Sequence, residues 1–421
     1  MAILTKAGWP ALPAKMTPLR IALGLFLATA AVLPAMAQEG FEPEFWEFFG
    51  EIELEGTAFF EGVQFEGQDR DDISFAGQTT FLAEWLNGDL VLRVTPFARY
   101  DIQDDRRTHA DLREAKVDYT SGDWTFRIGA DTVFWGKTEA VRLVNIINQV
   151  DAIEDLDEED LLGQPMLRVG YLADLGEFSA FFLPYFRERP FPGEDGRLRF
   201  DPPVNTANPI YETEAEEFTP SFALRYSGFI GEFDLGLSYF HGLGRDPSLF
   251  FDGTELLPVY QRINQVGIDG QFTSGATLWK LEGIFRQGEK NAQFEEEVFG
   301  ALTGGLEHTL FGIFESNADL GIIAEGAWDS RGDDAQTTFE NDAIGGVRLS
   351  LNDTQDTAFL ITSSVDVTDG SVGLRMEAER RVGENWTLEL EAVGFVNQPS
   401  GTFDGAFADD SFVRLKIKRF F

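Results

Sequence analysis

The chain has 421 residues, a formal net charge of −39 and no cysteine. Such acidity argues against a nucleic-acid partner, because phosphate binding needs a basic surface, and the missing thiols exclude disulfides, thiolate metal sites, cysteine nucleophiles and a lipidated cysteine. Disorder is the other common fate of an acidic chain, but 40 Phe and 13% aromatic residues exceed what a sequence that avoids burial carries.

Lys6, Lys15 and Arg20 precede the apolar run Ile21 to Leu33, and Ala35-Met36-Ala37 supplies the small-x-small pattern of a signal-peptidase site. Residues 1–37 are therefore expected to be a secretory signal cleaved after Ala37, with Met16 as an alternative start, and 38–421 to form one domain. Loss of the three signal cations takes the net charge from −39 to −42. No later apolar stretch approaches the roughly twenty residues of a membrane-spanning helix.

From Phe45 onward the chain alternates apolar and polar residues with period two. Short connections rich in Gly, Asn and Asp fall at 87–89, 121–123, 173–177, 227–231, 273–276, 315–319, 352–355 and 383–385. Longer, mostly acidic connections lie between them at 61–72, 101–109, 131–164, 187–217, 241–261, 288–297, 329–341, 366–370 and 397–408. Eight short and nine long connections predict an all-β fold: a transmembrane antiparallel β-barrel of about eighteen strands, sixteen being the alternative, with short periplasmic turns and long extracellular loops.

The strands are two-faced. In Leu90 to Tyr100, Leu92, Val94 and Ala98 alternate with Arg93, Thr95 and Arg99; in Ser371 to Arg381, Val372, Leu374 and Met376 alternate with Arg375 and Glu377. Charges on one face would cost several kcal/mol each in a dry core, whereas a water-filled lumen leaves them hydrated. Arg93, Arg99, Lys116, Arg127, Lys280, Arg286, Arg348 and Arg375 are the candidate pore-lining cations, accompanied by Glu114, Asp118, Glu282, Glu389 and Glu391. Apolar inward positions are few on this reading, with Phe59, Phe97 and Phe240 as exceptions. Trp46, Tyr119, Trp124, Trp279, Trp328 and Trp386 fall on outward positions near strand ends, as aromatic girdles require.

Two long connections carry internal pattern. In 131–164, Val141, Val144, Ile146 and Ile147 recur at helical spacing within Thr138 to Val150, which predicts a short helix. Two placements are open: a constriction inside the lumen, with Lys137 and Arg142 at the eyelet, or a helix over the barrel mouth. The run Glu154 to Asp160 supplies the carboxylates a hard divalent cation wants but lacks EF-hand spacing, so a solvated acidic loop is the favoured reading and no metal or other cofactor is assigned. Segment 187–217 holds five prolines with Arg187, Arg189, Arg197 and Arg199; it is either a lid whose arginines attract anionic solutes or a stiff external loop. His109, His241 and His308 are the histidines, and none sits in a nucleophile motif, so no catalytic residue is assigned.

The last strand closes the argument. Val413, Leu415 and Ile417 alternate with Arg414, Lys416 and Lys418, and the chain stops on Phe421, like the C-terminal signal read by the outer-membrane barrel assembly machinery. Arg419 interrupts the apolar face and is expected to snorkel to the periplasmic headgroups. Closure against the first strand would bring Arg414, Lys416 and Lys418 beside Glu51, Glu53 and Glu55, a charge ladder suited to fixing register.

The stretches Arg127-Ile128-Gly129, Phe134 to Glu139, Asn148 to Asp151, Leu162 to Pro165, Leu183 to Arg189, Phe339 to Asp342 and Ala378 to Gly383 resemble an uncharacterised family of proteobacterial outer-membrane barrels, porin-like and alginate-export-like in general appearance. The resemblance implies a channel or exporter barrel, with no catalytic residue or substrate to transfer. The expected partners are outer-membrane lipid, lipopolysaccharide and a small solute in a Gram-negative outer membrane. The expected function is passive diffusion of small hydrophilic solutes; a specific transporter, an exporter of a hydrophobic or polymeric substrate and a structural envelope component are the alternatives.

Overall fold

The computed structural model describes residues 42–421 apart from 156, 292–294, 333, 334, 336, 338 and 400–403; the expected signal lies outside the described residues. Its strands are β1 (Phe45–Phe59), β2 (Asp71–Trp85), β3 (Leu90–Asp101), β4 (His109–Ser121), β5 (Trp124–Asp131), β6 (Gln164–Ala173), β7 (Gly176–Leu183), β8 (Ile210–Tyr211), β9 (Ser221–Ile230), β10 (Phe233–Leu243) and β11 (Ser248–Phe251). They continue as β12 (Leu256–Tyr260), β13 (Arg262–Ser274), β14 (Thr277–Lys290), β15 (Glu296–Leu310), β16 (Asp319–Asp329), β17 (Asn341–Ser350), β18 (Ala358–Asp366), β19 (Val372–Val382), β20 (Trp386–Val396) and β21 (Phe412–Phe420).

Eighteen of these form one antiparallel meander that closes when β1 pairs with both β2 and β21; the short strands β8, β11 and β12 make a separate sheet within the loops. Closure leaves no unpaired edge, the condition for a sheet in hydrocarbon. The pleat then assigns each residue to lipid or lumen. In β16, Ile322, Ala324, Gly326 and Trp328 are exposed on the outer wall while Ile323, Glu325, Ala327 and Asp329 are buried inside.

The six girdle aromatics are all outward, 42–55% exposed. Five lie at the short-turn end and Trp328 at the long-loop end, so the belt is heavier on one side. The Arg419 guanidinium lies 5.5 Å from the Trp386 ring centroid within that belt.

The connections depart from expectation in detail. β9 runs to Ile230, so the turn expected at 227–231 is carried by Gly231 and Glu232, where Gly231 supplies a φ of +66°. The predicted helix at 138–150 is not formed; the segment is irregular backbone. Val144, Ile146 and Ile147 are nonetheless fully buried, because the chain enters the barrel and meets protein on more than one side, which removes the need for a single helical stripe.

Candidate functional site: the lumen and its inserted segment

The inward face is not uniformly wet. Across β7, β9, β10 and β13 to β15, the inward side chains Phe181, Ala223, Phe240, Ile263, Ile284, Phe299 and Ala301 are apolar, and Trp135, Val144, Ile146 and Ile147 of the connection 132–163 pack on them. The expectation of few apolar lumen residues is corrected here: these six of the eighteen barrel strands dock the inserted segment. A second contact sets Val141 against Ala327 and Ile344 of β16 and β17.

Wall carboxylates hold the backbone of the same segment. Glu282 of β14 accepts from the amide of Lys137 at 2.5 Å, from the amide and hydroxyl of Thr138 at 3.0 and 2.9 Å, and from the Val144 amide at 3.3 Å. Glu325 of β16 accepts from the Glu139 amide at 3.0 Å. These buried acceptors satisfy N–H groups that an irregular segment cannot pair internally. Gly236 leaves room on the wall for the 2.5 Å ion pair of Arg225 and Asp269, whose terminal atoms a Cβ there would meet at 2.2 Å and push aside.

Several candidate pore-lining cations turn out to clamp this segment or its flanks. Arg348 and Lys280 reach Glu139 at 2.5 and 3.4 Å. Lys116 reaches Asp131 at 2.5 Å, and Arg127 pairs with both Asp131 and Asp118. Arg375 contacts Asp157 at 2.9 Å and Glu391 at 2.8 Å. Arg93, by contrast, stays near Glu114 at 3.8 Å, and Arg286 is held by Glu289 at 3.1 Å and Gln265 at 2.8 Å. Of the two eyelet candidates, Lys137 pairs with Asp234 at 2.6 Å and Arg142 with Glu159. Burial raises the carboxyl of Glu139, but the Arg348 and Lys280 charges outweigh it and hold it below the ordinary range.

The acidic run is corrected from a solvated loop to an internal anchor. Glu154 and Asp155 are buried, while the adjoining Glu158 and Glu159 are exposed. Glu154 accepts from Arg99 Nε at 2.9 Å and Nη2 at 2.7 Å, and Arg99 also reaches Glu53 at 2.9 Å and Glu55 at 3.4 Å. Arg107 links Glu55 at 2.7 Å to Asp101 at 3.1 Å and donates to the Ile153 carbonyl. Arg113 pairs with Asp151 at 2.7 Å, and His109 Nε2 lies 3.2 Å from Asp151 and 3.5 Å from Glu154. Burial works against ionised Asp151, yet the His109 hydrogen bond and the Arg113 charge hold its carboxyl down to about 2. Glu154 is likewise lowered against burial by Arg99, His109 and Arg107.

His109, Asp151 and Glu154 place three potential ligand atoms within 4.8 Å of one another. Arg99, Arg107 and Arg113 already bring to this cluster the positive charge a metal ion would supply, so its chemistry is that of an ion-pair hub.

The hub continues into the barrel seam. Register sets Glu53 opposite Lys418 and Glu55 opposite Lys416 on one side of β21, and Glu389 opposite Lys416 and Glu391 opposite Arg414 on the other. Lys418 contacts Glu389 at 2.8 Å, and Arg414 contacts Glu391 at 3.1 Å and Asp155 at 2.8 Å. Lys416 reaches Asp155 at 3.4 Å. Glu51 falls opposite Phe420 and not a cation, because the seam is offset by one pair from the register that would set Glu51 opposite Lys418. Asp155, the acid that ties the inserted segment to the closing strand, escaped sequence reasoning; its only signal was an acidic run longer than a hydrated loop needs.

At the long-loop end, segment 184–220 uses its arginines internally, which favours the stiff external loop over the anion-attracting lid. Arg187 pairs with Asp111 at 2.6 Å, Arg189 with Asp246 at 2.7 Å and Arg197 with Asp410 at 2.5 Å, while Arg199 lies 3.9 Å over the Phe65 ring.

No protein-family model matches the chain, and no curated protein matches it. Solved structures do match in fold. Acinetobacter baumannii OccAB1 aligns with a TM-score of 0.56 at 8% identity, covering 92% of this chain and 98% of that one. Pseudomonas aeruginosa OccK5 (OpdH) aligns with a TM-score of 0.53 at 11% identity, covering 90% and 98%. Wzi, an outer-membrane protein involved in group 1 capsule assembly in Escherichia coli and described as a carbohydrate-binding β-barrel, aligns with a TM-score of 0.51 at 10% identity over 94% and 88%. With its apolar outer band, aromatic belt and closed wall, the chain has the fold of a Gram-negative outer-membrane protein: an 18-stranded porin-like β-barrel.

Proposed function

We propose that the protein is a diffusion channel of the outer membrane for small hydrophilic solutes, narrowed by the inserted segment 132–163, and that it acts without catalysis. The observation that carries this reading is the inward position of that segment, tied by Glu139, Glu154 and Asp155 to cations on β3, β14, β17 and β21. An eighteen-stranded barrel is wide enough for an aqueous path, and a folded-in segment reduces it to solute dimensions. Acids and cations are mixed along the wall, so the channel discriminates by size and local contacts more than by net ion charge. We place the chain with the uncharacterised proteobacterial barrels that its motifs resemble, engaging lipopolysaccharide outside and the assembly machinery through its last strand.

Liposome swelling tests this. Proteoliposomes should admit pentoses and hexoses and exclude oligosaccharides above a sharp size limit; impermeability to all of them would contradict the channel reading. A second reading, a structural barrel closed by its own loops, draws on the apolar packing of Trp135 and Ile147 in the lumen and predicts that impermeability.

A further inference from the structure

The loops at the long-loop end form an open cleft of about 540 Å³, the size of an organic ligand site. Tyr185, Arg187, Glu188, Asn208, Tyr211 and Glu217 line it. The cleft is built on a rigid base. Its Tyr211 belongs to the small sheet of β8, β11 and β12 and packs against Tyr260 and Phe186, whose own ring centroids are 4.8 Å apart. The Tyr211 hydroxyl donates to Glu188, Arg187 is pinned by Asp111 and by the Gly163 carbonyl at 2.9 Å, and the Tyr185 ring stands edge-on to Phe218 at 5.4 Å. Burial raises the Glu188 carboxyl above its ordinary range against the Tyr211 hydrogen bond, and the neighbouring Glu217 adds to the rise.

We propose that this cleft binds an uncharged saccharide chain at the cell surface. The exposed Tyr185 ring offers a surface for the C–H side of a sugar, while carboxylates, an amide and a guanidinium offer the mixed acceptors and donors that vicinal hydroxyls use. A simple ammonium ion would use the rings and carboxylates but neither the Asn208 nor the Arg187 donors, and would leave most of the volume empty. Uronates, sialates and phosphates are disfavoured, because Glu188, Glu216 and Glu217 face Arg187, whose charge is already matched by Asp111.

The test is an array of uncharged gluco-, galacto-, manno- and N-acetylglucosamine oligomers, with oligoguluronate and spermidine alongside, probed with the detergent-solubilised full chain. At least one uncharged oligomer should bind and oligoguluronate should not. Tyr185→Ala should weaken that binding about tenfold, and so should Asn208→Ala, a change at an exposed loop position that guards against a folding defect in the first variant. Binding of no uncharged oligomer, retention of spermidine or oligoguluronate alone, or wild-type-like binding by both variants would overturn the proposal. Because permeation is read separately in liposomes, failure here leaves the channel reading intact.

Discussion

Replacing Glu154 by Gln removes the charge at the centre of the ion-pair hub while keeping the side chain's shape. Arg99 donates to Glu154 through three contacts of 2.7–2.9 Å, and both groups are at most 5% exposed. Hydrogen bonds to charged groups contribute about 1.5–3 kcal/mol net, and breaking a buried pair can cost more. Arg99 keeps Glu53 and Glu55, so the loss should lie toward the lower end, about 2 kcal/mol. That corresponds to roughly a thirtyfold rise in the fraction of time the inserted segment is detached from this wall. Single-channel recording in planar bilayers reads that fraction as excursions to a higher conductance level. Wild-type-like traces from a correctly folded E154Q barrel would refute the assignment of Glu154 as an anchor.

Deleting 138–150 should raise unitary conductance, and an unchanged value would count against constriction by this segment. Lys416→Glu places a like charge between Glu55 and Glu389, at about 0.2–1 kcal/mol for each cross-strand clash; heat-modifiable electrophoretic mobility should show impaired assembly before any shift in ion selectivity, and the reverse order would reject the register role. Acid should release the segment. Asp151 and Glu154 have lowered folded-state pKa values, so their contribution is full above the ordinary carboxylate range and is lost as pH falls through the folded values, with Asp151 titrating near 2. Conductance should therefore rise as pH falls from about 5 toward 2; an unchanged or falling conductance over that acid range would contradict the sign.

The two faces of the closing strand were legible in sequence because charge and hydrocarbon alternate along β21, and a two-residue period assigns each side chain a face without tertiary knowledge; its register, offset by one pair, was not. Strand number followed from the rhythm of turns. The interior was not legible, for physical reasons visible in single residues. Ile322 and Ile323 are both apolar, yet one meets lipid and the other the lumen, so apolar identity alone cannot separate a lipid-facing side chain from one that docks an inserted segment. The spacing of Val141, Val144 and Ile147 mimicked a helix because different walls, far apart in the chain, cover them. Glu154 and Asp155 looked like a hydrated run, since the arginines that neutralise them, Arg99, Arg107 and Arg414, come from β3, its following loop and β21. Pairing at such separation leaves no local signature.

Unitary conductance of the purified wild-type protein in a planar bilayer tests the central claim most directly, because it asks whether the lumen carries water past the inserted segment. Discrete, uniform steps well below those of an unobstructed barrel of this girth are predicted. A silent bilayer containing demonstrably inserted protein, or steps as large as an empty eighteen-stranded pore allows, would contradict it.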